Sequence, residues 1–329
     1  MSLGTVLITG GSGSFGRAFI SYLLKHDLAD RIVSISRNAE MRYRLEQDMA
    51  DPRLIVVPGD VRYSADLEAA YDGPVDVLIH AAAEKHVGTG QTHSQYVQAI
   101  NVGGAKHVIG YARRQGVQTV IALSTDKACA PINRYGQSKL DAEALFVRAT
   151  SEHGPRFSVV RYGNVIGSSG SVLPLFVRQR TAGRLTVTDL RMTRFFMSLS
   201  PDSDCRVYQE PGCRAVMSAV ELVMYAIEHG RGSEVLIPTI PSGTIQNLAQ
   251  EVGPNCRIEE IGIRPGEKLH EELIASDESR RAWVTTDGVF ILMPDDRMPS
   301  QRARRVPEGF TYTSADSPQP IRLEEGVVV

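Results

Sequence analysis

The chain has 329 residues, with 36 Lys and Arg against 38 Asp and Glu, a formal net charge of -2 and 42% hydrophobic residues. That is enough apolar material for one large domain or two intertwined ones, and a charge this near neutral argues against a sequence-independent pull toward nucleic acid. Four cysteines, Cys129, Cys205, Cys213 and Cys256, show no C-x-x-C or His-paired spacing, so neither a metal site nor a dithiol redox motif is expected.

The first half alternates short apolar runs with helix-length amphipathic stretches. The runs are Thr5–Thr9, Arg31–Ser36, Leu54–Pro58, Val75–Ala82, Gln118–Ser124 and Phe157–Tyr162. β-branched runs of this kind predict buried parallel strands joined by right-handed crossovers, hence an α/β fold with a doubly wound parallel sheet. After Gly167 come a Ser/Gly-rich segment, a basic stretch through Arg178, Arg180, Arg184, Arg191 and Arg194, an aperiodic stretch at Pro201–Gly212, a helix at Val216–His229 and a strand at Glu234–Pro238. The pattern predicts a dinucleotide-binding domain over residues 1–165, rejoined by a segment near 216–240, and a smaller substrate-binding domain over 166–329. No run approaches the roughly 20 apolar residues of a membrane span. The start of the chain lacks the charged segment and cleavage site of a signal peptide, so a cytoplasmic protein with reduced thiols and no membrane partner is expected.

The strand Val6–Thr9 leads into Gly10-Gly11-Ser12-Gly13-Ser14-Phe15-Gly16, and a helical pattern begins at Arg17. Strand, glycine turn and helix in that order bring a helix N-terminus and free backbone against a pyrophosphate. The second strand ends Ser36-Arg37 with no acid, which favours NADP over NAD because an Arg accommodates a ribose 2′-phosphate. Asp60, followed by Val61, stands where an acid meets adenine, and Ala81-Ala82 let a cofactor lie against the backbone after the fourth strand.

Leu123-Ser124-Thr125-Asp126-Lys127 ends a strand and is followed by Tyr135-Gly136-Gln137-Ser138-Lys139. A Tyr and a Lys four apart share one helix face, so the ammonium of Lys139 is expected to lower the Tyr135 pKa and make the phenol a proton acceptor.

Over most of its length the chain resembles the extended short-chain dehydrogenases/reductases, and within them the inverting UDP-N-acetylglucosamine 4,6-dehydratases. The resemblance is carried by Thr9–Gly16, Gly59–Arg62, Lys85-His86-Val87, Ser124–Lys127, Tyr135–Lys139, Val160–Val165, Arg191–Phe195 and Ile263–Glu271. It implies oxidation of a sugar at carbon 4, loss of the carbon-5 proton and the 6-hydroxyl, and return of the hydride to carbon 6. In that scheme Lys127 is the base, its pKa drawn down by burial, Lys139 and the nicotinamide; Asp126 is the acid, and Thr125 bonds the developing oxyanion. Cofactor contacts are expected from Gly10, Ser12, Gly13, Ser14, Phe15, Gly16, Ser36, Arg37, Asp60, Val61, Ala81, Ala82, Lys85, Asn101, Tyr135 and Lys139. A nucleotide-sugar substrate is expected to meet Lys85, Asn164, Arg191, Arg194, Arg264 and Glu267, the guanidinium forks suiting a diphosphate. His86 reads as a loop residue, and a homo-oligomer is implied.

Several positions depart from the family pattern: Ser168-Ser169-Gly170 lacks an Arg, Glu84 and Arg134 stand where apolar residues are usual, Gly88 replaces a Pro, and Ser200–Val216 is about a dozen residues longer. They surround the expected sugar pocket, so a dehydratase or epimerase acting on another nucleotide-linked sugar is an alternative. A non-catalytic NADP-binding regulator on the same fold is a third.

Overall fold

The computed structural model is described for residues 2–85, 94–168, 170–202, 207–208, 217–299, 302–316, 318 and 322–323. His86, Val87, Gly88, Ser169, most of the 200–216 segment, Cys205 and Cys213 lie outside the described residues.

Strands β1 (Thr5–Thr9), β2 (Arg31–Ser36), β3 (Leu54–Pro58), β4 (Val77–His80), β5 (Thr119–Thr125) and β6 (Arg156–Tyr162) pair in parallel in the order β6-β5-β4-β1-β2-β3. The order reverses between β1 and β4, which opens a crevice at the carboxyl ends of those two strands. Leu7, Ile8, Val33, Ile79 and Ile121 are fully buried, as expected for strands covered on both faces. Helix α1 (Ser14–Lys25) buries Gly16, Phe19, Ile20 and Leu23, one stripe at helical spacing.

Beyond β6 the chain weaves between the large sheet and a second, smaller core. β9 (Thr193–Met197) lies between β7 (Asn164–Val165), which it pairs in parallel, and β12 (Ser242–Thr244), which it pairs antiparallel, while β8 (Arg184–Val187) pairs with β13 (Arg257–Glu260). Leu173, Phe176, Leu185, Phe196 and Leu248 fill the space between them. The two-residue β10 (Val207–Tyr208) pairs with β19 (Arg322–Leu323).

The expected strand near 234–238 is β11 (Val235–Pro238), parallel to β6. It follows the helix Ala219–His229, whose N-terminus is fixed by a reciprocal Ser218/Glu221 capping box. Three further strands extend the same edge antiparallel: β16 (Val289–Leu292), β15 (Ala282–Thr285) and β17 (Ala303–Arg305). The sequence pattern places these with residues 166–329 in the smaller body; their backbone hydrogen bonds put them in the ten-stranded sheet instead. β14 (Glu272–Ile274) pairs with β18 (Tyr312–Thr313). Among the described residues no helix is long and apolar enough to cross a membrane.

Candidate active site

The chemistry-bearing segment begins where β5 ends. Thr125 caps a single turn over Asp126–Ala128, its hydroxyl accepting from the Lys127 N–H and donating to Asp126 Oδ1 at 2.8 Å. The helix Arg134–Ala149 then starts under an Asn133 cap, with Asn133 Oδ1 accepting from the Gly136 N–H at 2.8 Å. Gly136 permits the close approach: a Cβ there would stand 2.2 Å from the Lys127 carbonyl oxygen. Tyr135 is thereby pressed against the turn carrying Thr125, Asp126 and Lys127, and its hydroxyl hydrogen-bonds Thr125.

Lys127 Nζ lies 2.9 Å from Asp126 Oδ1 and 3.6 Å from Glu271 Oε1. Burial pulls the lysine pKa down, but Asp126 and Glu271 outweigh burial and the opposing Arg194 charge, so the ammonium is held above its ordinary range. Burial likewise pushes the Tyr135 phenol up to about 12, with Lys127 pulling it down and Asp126 and Glu84 adding to the rise. Both directions reverse the expectation from sequence. Lys139 is not the phenol's neighbour charge, because its Nζ donates to the Leu123 carbonyl at 2.6 Å, and burial lowers its own pKa to about 8. The cation that favours an ionised Tyr135 is Lys127.

The cofactor expectation falls on the crevice at β1 and β4. Gly10 has φ +74°, and a Cβ there would meet the Ala82 backbone nitrogen at 2.8 Å. The loop can therefore lie flat against Ala81 and Ala82 only with glycine at that position. Ser12 N–H donates to Ser36 Oγ, tying the glycine loop to the end of β2. At the start of α1, which contains Ser14, Phe15 and Gly16, the Gly13 cap offers no side-chain acceptor and the first turn has no acid. Such an N-terminus suits a pyrophosphate, so these residues fit a dinucleotide. Arg37 Nη1 donates to Tyr96 Oη at 2.6 Å and stands 3.9 Å from Asp60. Burial would raise the Asp60 carboxyl, but hydrogen bonds from Arg62 and the charge of Arg37 hold it below its ordinary value. Val61 is buried beside Gly104, and burial lowers the pKa of Lys85, five residues beyond β4, against the opposing pull of Glu84. Asn101 braces the scaffold: its amide donates to Ser138 Oγ and the Glu84 carbonyl, and its carbonyl oxygen accepts from the Glu84 N–H.

A cavity of about 390 Å³ opens beside Lys127. Its wall includes Asn164, Arg194, Arg264 and Glu267 from the expected substrate set, together with Arg178 and Glu271, which were not in that set. Arg191 is not among the lining residues; Asp189 holds its exposed guanidinium at 2.7 Å. Arg194 lines the wall but donates to the carbonyls of Thr193, Lys268 and Leu269, so it braces the 268–269 backbone where a free phosphate fork had been expected. Among the described residues, the guanidiniums of Arg178 and Arg264 line the cavity without donating to a backbone carbonyl, and Arg264 stands 3.8 Å from Glu267. Arg178 could have been found from the helix Val172–Arg180, where it follows Pro174 and Leu175 at helical spacing on the cavity side. The loop over the cavity is tied down by Asn133 Nδ2 donating to the Gly266 carbonyl and Lys268 Nζ donating to the Cys129 carbonyl, both at 2.8 Å.

Comparison with known proteins agrees with this layout. Residues 6–209 and 213–292 match the family described as polysaccharide biosynthesis protein. An inverting UDP-N-acetylglucosamine 4,6-dehydratase of Campylobacter jejuni is 38% identical over 330 residues, covering 95% of this chain and 93% of the relative. A UDP-glucose 4-epimerase of Rickettsia akari is 39% identical over 289 residues, covering 84% and 80%. Among solved structures, Pen from Bacillus thuringiensis superposes with a TM-score of 0.83 at 31% identity, covering 95% of this chain and 93% of that one. DesIV of Streptomyces venezuelae, a dTDP-glucose 4,6-dehydratase with NAD bound, shares the fold at a TM-score of 0.68 and 22% identity, covering 80% and 86%. Sheet order, glycine turn, Tyr135/Lys139 helix and relatives together place the chain in the polysaccharide biosynthesis protein family of extended short-chain dehydrogenases/reductases.

Proposed function

We propose that the chain is an NADP-dependent nucleotide-sugar 4,6-dehydratase that converts UDP-N-acetylglucosamine to a 4-keto-6-deoxy sugar with inversion at carbon 5, acting in the cytoplasm as a homo-oligomer. The observation that carries this reading is the Asp126–Lys127 pair standing beside Tyr135 at the cavity wall. A simple oxidoreductase or an epimerase needs one proton acceptor at the oxidised hydroxyl. This site offers a second acid/base pair within a few ångströms, which elimination of water requires. The first half of the chain is assigned the cofactor and the cavity the sugar nucleotide, with Arg178 and Arg264 on the diphosphate and Asn164 and Glu267 on sugar or base.

The glycine loop, the start of α1 and Arg37 would hold a nicotinamide dinucleotide, whose chemistry when bound is that of a reversible hydride acceptor for carbon 4 and donor for carbon 6. Tyr135 takes the proton of the 4-hydroxyl, aided by the charged Lys127, and Thr125 holds the phenol oxygen in place. Lys127, having released its proton to solvent, removes the carbon-5 proton, and Asp126, having taken one up, gives it to the departing 6-hydroxyl, which leaves as water. The two steps therefore call on Lys127 in opposite charge states, first as an ammonium beside the phenol and then as an amine.

Incubation with UDP-N-acetylglucosamine in deuterated water is expected to give a 4-keto product carrying solvent deuterium at carbon 5, without net consumption of NADPH. Lys127→Ala is expected to bind both ligands and form no dehydrated product, and Tyr135→Phe to stop at the first hydride transfer. A 4-epimer without a stable keto product would establish the epimerase alternative. A Lys127→Ala enzyme that dehydrates at near wild-type rate would remove Lys127 from the mechanism.

A further inference from the structure

Glu271 is the acid that the fold brings to Lys127 from far along the chain. It directly precedes β14, and its backbone is clamped by Ser314: the Glu271 N–H donates to Ser314 Oγ at 2.9 Å and its carbonyl accepts from the Ser314 N–H at 2.8 Å. The side chain is 3% exposed and lines the cavity. Its Oε1 stands 3.6 Å from Lys127 Nζ and 3.8 Å from Arg194 Nε, while Oε2 is buried and has no hydrogen-bond partner among the described residues. An orphaned carboxylate oxygen in a low-dielectric wall costs stability. The fold nonetheless fixes this one from its backbone and aims its partnered oxygen at the lysine.

We propose that Glu271 is a positioning residue for Lys127, holding the amine at the cavity wall between itself and Asp126. The inference rests on Lys127 as the carbon-5 base. The charged and titratable groups facing Lys127 are Asp126 and Tyr135 from the nucleotide-binding half, Glu271 ahead of β14 and Arg194 from β9. Two carboxylates from distant segments of the chain hold the nitrogen, Asp126 at 2.9 Å and Glu271 at 3.6 Å. Their charge also makes the amine, once formed, a stronger base toward a weakly acidic carbon-bound proton. Removing Glu271's charge therefore does two opposite things: it lets the amine form at lower pH, and it leaves that amine weaker and less well aimed.

The test is the pH dependence of kcat and KM for 4-keto product formation by the NADP-loaded wild type, Glu271→Gln and Glu271→Asp. The rising limb of kcat is expected to move to lower pH by about one unit in the Gln variant, a roughly tenfold change in the neutral-amine fraction at fixed pH. It is expected to move less in Asp, which keeps the charge but withdraws it by one methylene. The plateau falls in both variants, KM changes less than kcat, and NADP affinity stays within about twofold, because Glu271 lines the cavity and no residue of the glycine loop or β2 does. If the Gln variant does not fold, as judged by its melting curve, the Asp variant carries the same test. A wild type that makes no 4-keto product from any nucleotide sugar removes the proposed function and this inference with it. An active wild type whose limb is unmoved in both variants overturns this inference alone.

Discussion

At the scale of single residues, the cofactor preference turns on the end of β2. Arg37 is held by Tyr96 and lies near Asp60, while Arg42 donates to the carbonyls of Ser36 and Arg37 and so fixes the loop that presents Arg37. A guanidinium in that place suits a 2′-phosphate and offers a 2′-hydroxyl no acceptor. Arg37→Ala is expected to weaken NADP by about 1.5–3 kcal/mol, the worth of a charge-assisted hydrogen bond, and to leave NAD nearly unchanged. Titration of both cofactors against both proteins checks it, and equal wild-type affinities would refute it. Lys139 gives a second, independent prediction. Its folded pKa of about 8 lies below the unfolded value near 10.4, so between those pH values the unfolded chain binds more protons and stability rises with pH. Below pH 8 the buried ammonium costs on the order of 3 kcal/mol. The melting temperature of the wild type, measured against Lys139→Met, is therefore expected to climb from pH 8 to 10.4; a constant difference would show that Lys139 keeps an ordinary pKa.

At the scale of elements, one buried ion cluster fastens the Tyr135 helix to the C-terminal third of the chain. Arg161 on β6 is 1% exposed and donates to Glu143 at 2.6 Å and to Glu278 at 2.8 Å, and Ser124 beside the Asp126–Ala128 turn donates to the same Glu143. Deleting the arginine would leave two carboxylates buried and unpaired, so Arg161→Met is expected to cost about 3–5 kcal/mol in denaturant unfolding. Burial pushes the Glu278 carboxyl up, yet Arg161 outweighs it and holds the group below its ordinary value. A carboxyl with a depressed folded pKa contributes stability above its unfolded pKa and loses it as pH falls through the folded one. The wild type should then lose stability below about pH 4.5 more steeply than the Arg161→Met variant. Parallel slopes would show that the cluster does not couple to pH. These contacts also mark what could be read from sequence. The strands of the first half, the glycine turn and the Tyr135/Lys139 helix were legible because each depends on spacing within a few residues. Arg161, Glu271 and the strands β15 to β17 were not, because their roles depend on partners brought in from elsewhere in the chain. The spacing of Tyr135 and Lys139 was read correctly as one helix face, but spacing alone could not show that the ammonium reaches the Leu123 carbonyl.

At the scale of the whole molecule, the cavity is a seam where the turn after β5 meets the loop of residues 264–271, with the helix Val172–Arg180 and β9 also forming the wall. Two side-chain bonds cross that seam away from the reacting groups, Asn133 to the Gly266 carbonyl and Lys268 to the Cys129 carbonyl. The loop is also braced from behind by Arg194 donating to the Lys268 carbonyl. The returning strands keep the two cores in register through the large sheet, so loss of one crossing bond should change the shape of the seam more than global stability. The cofactor crevice is built at β1, β2 and β4 and shares none of these bonds. Lys268→Met keeps the length of the side chain and removes its donor. It is expected to raise KM for the nucleotide sugar about tenfold, equivalent to about 1.4 kcal/mol, as the loop carrying Arg264 and Glu267 loosens. Stability should fall by no more than about 1.5 kcal/mol, the worth of one hydrogen bond. NADP affinity should not move. Parallel losses in NADP and sugar-nucleotide binding would mean that the loop supports both sites, and an unchanged KM would mean that the Asn133 bond and the Arg194 brace hold the seam closed without Lys268.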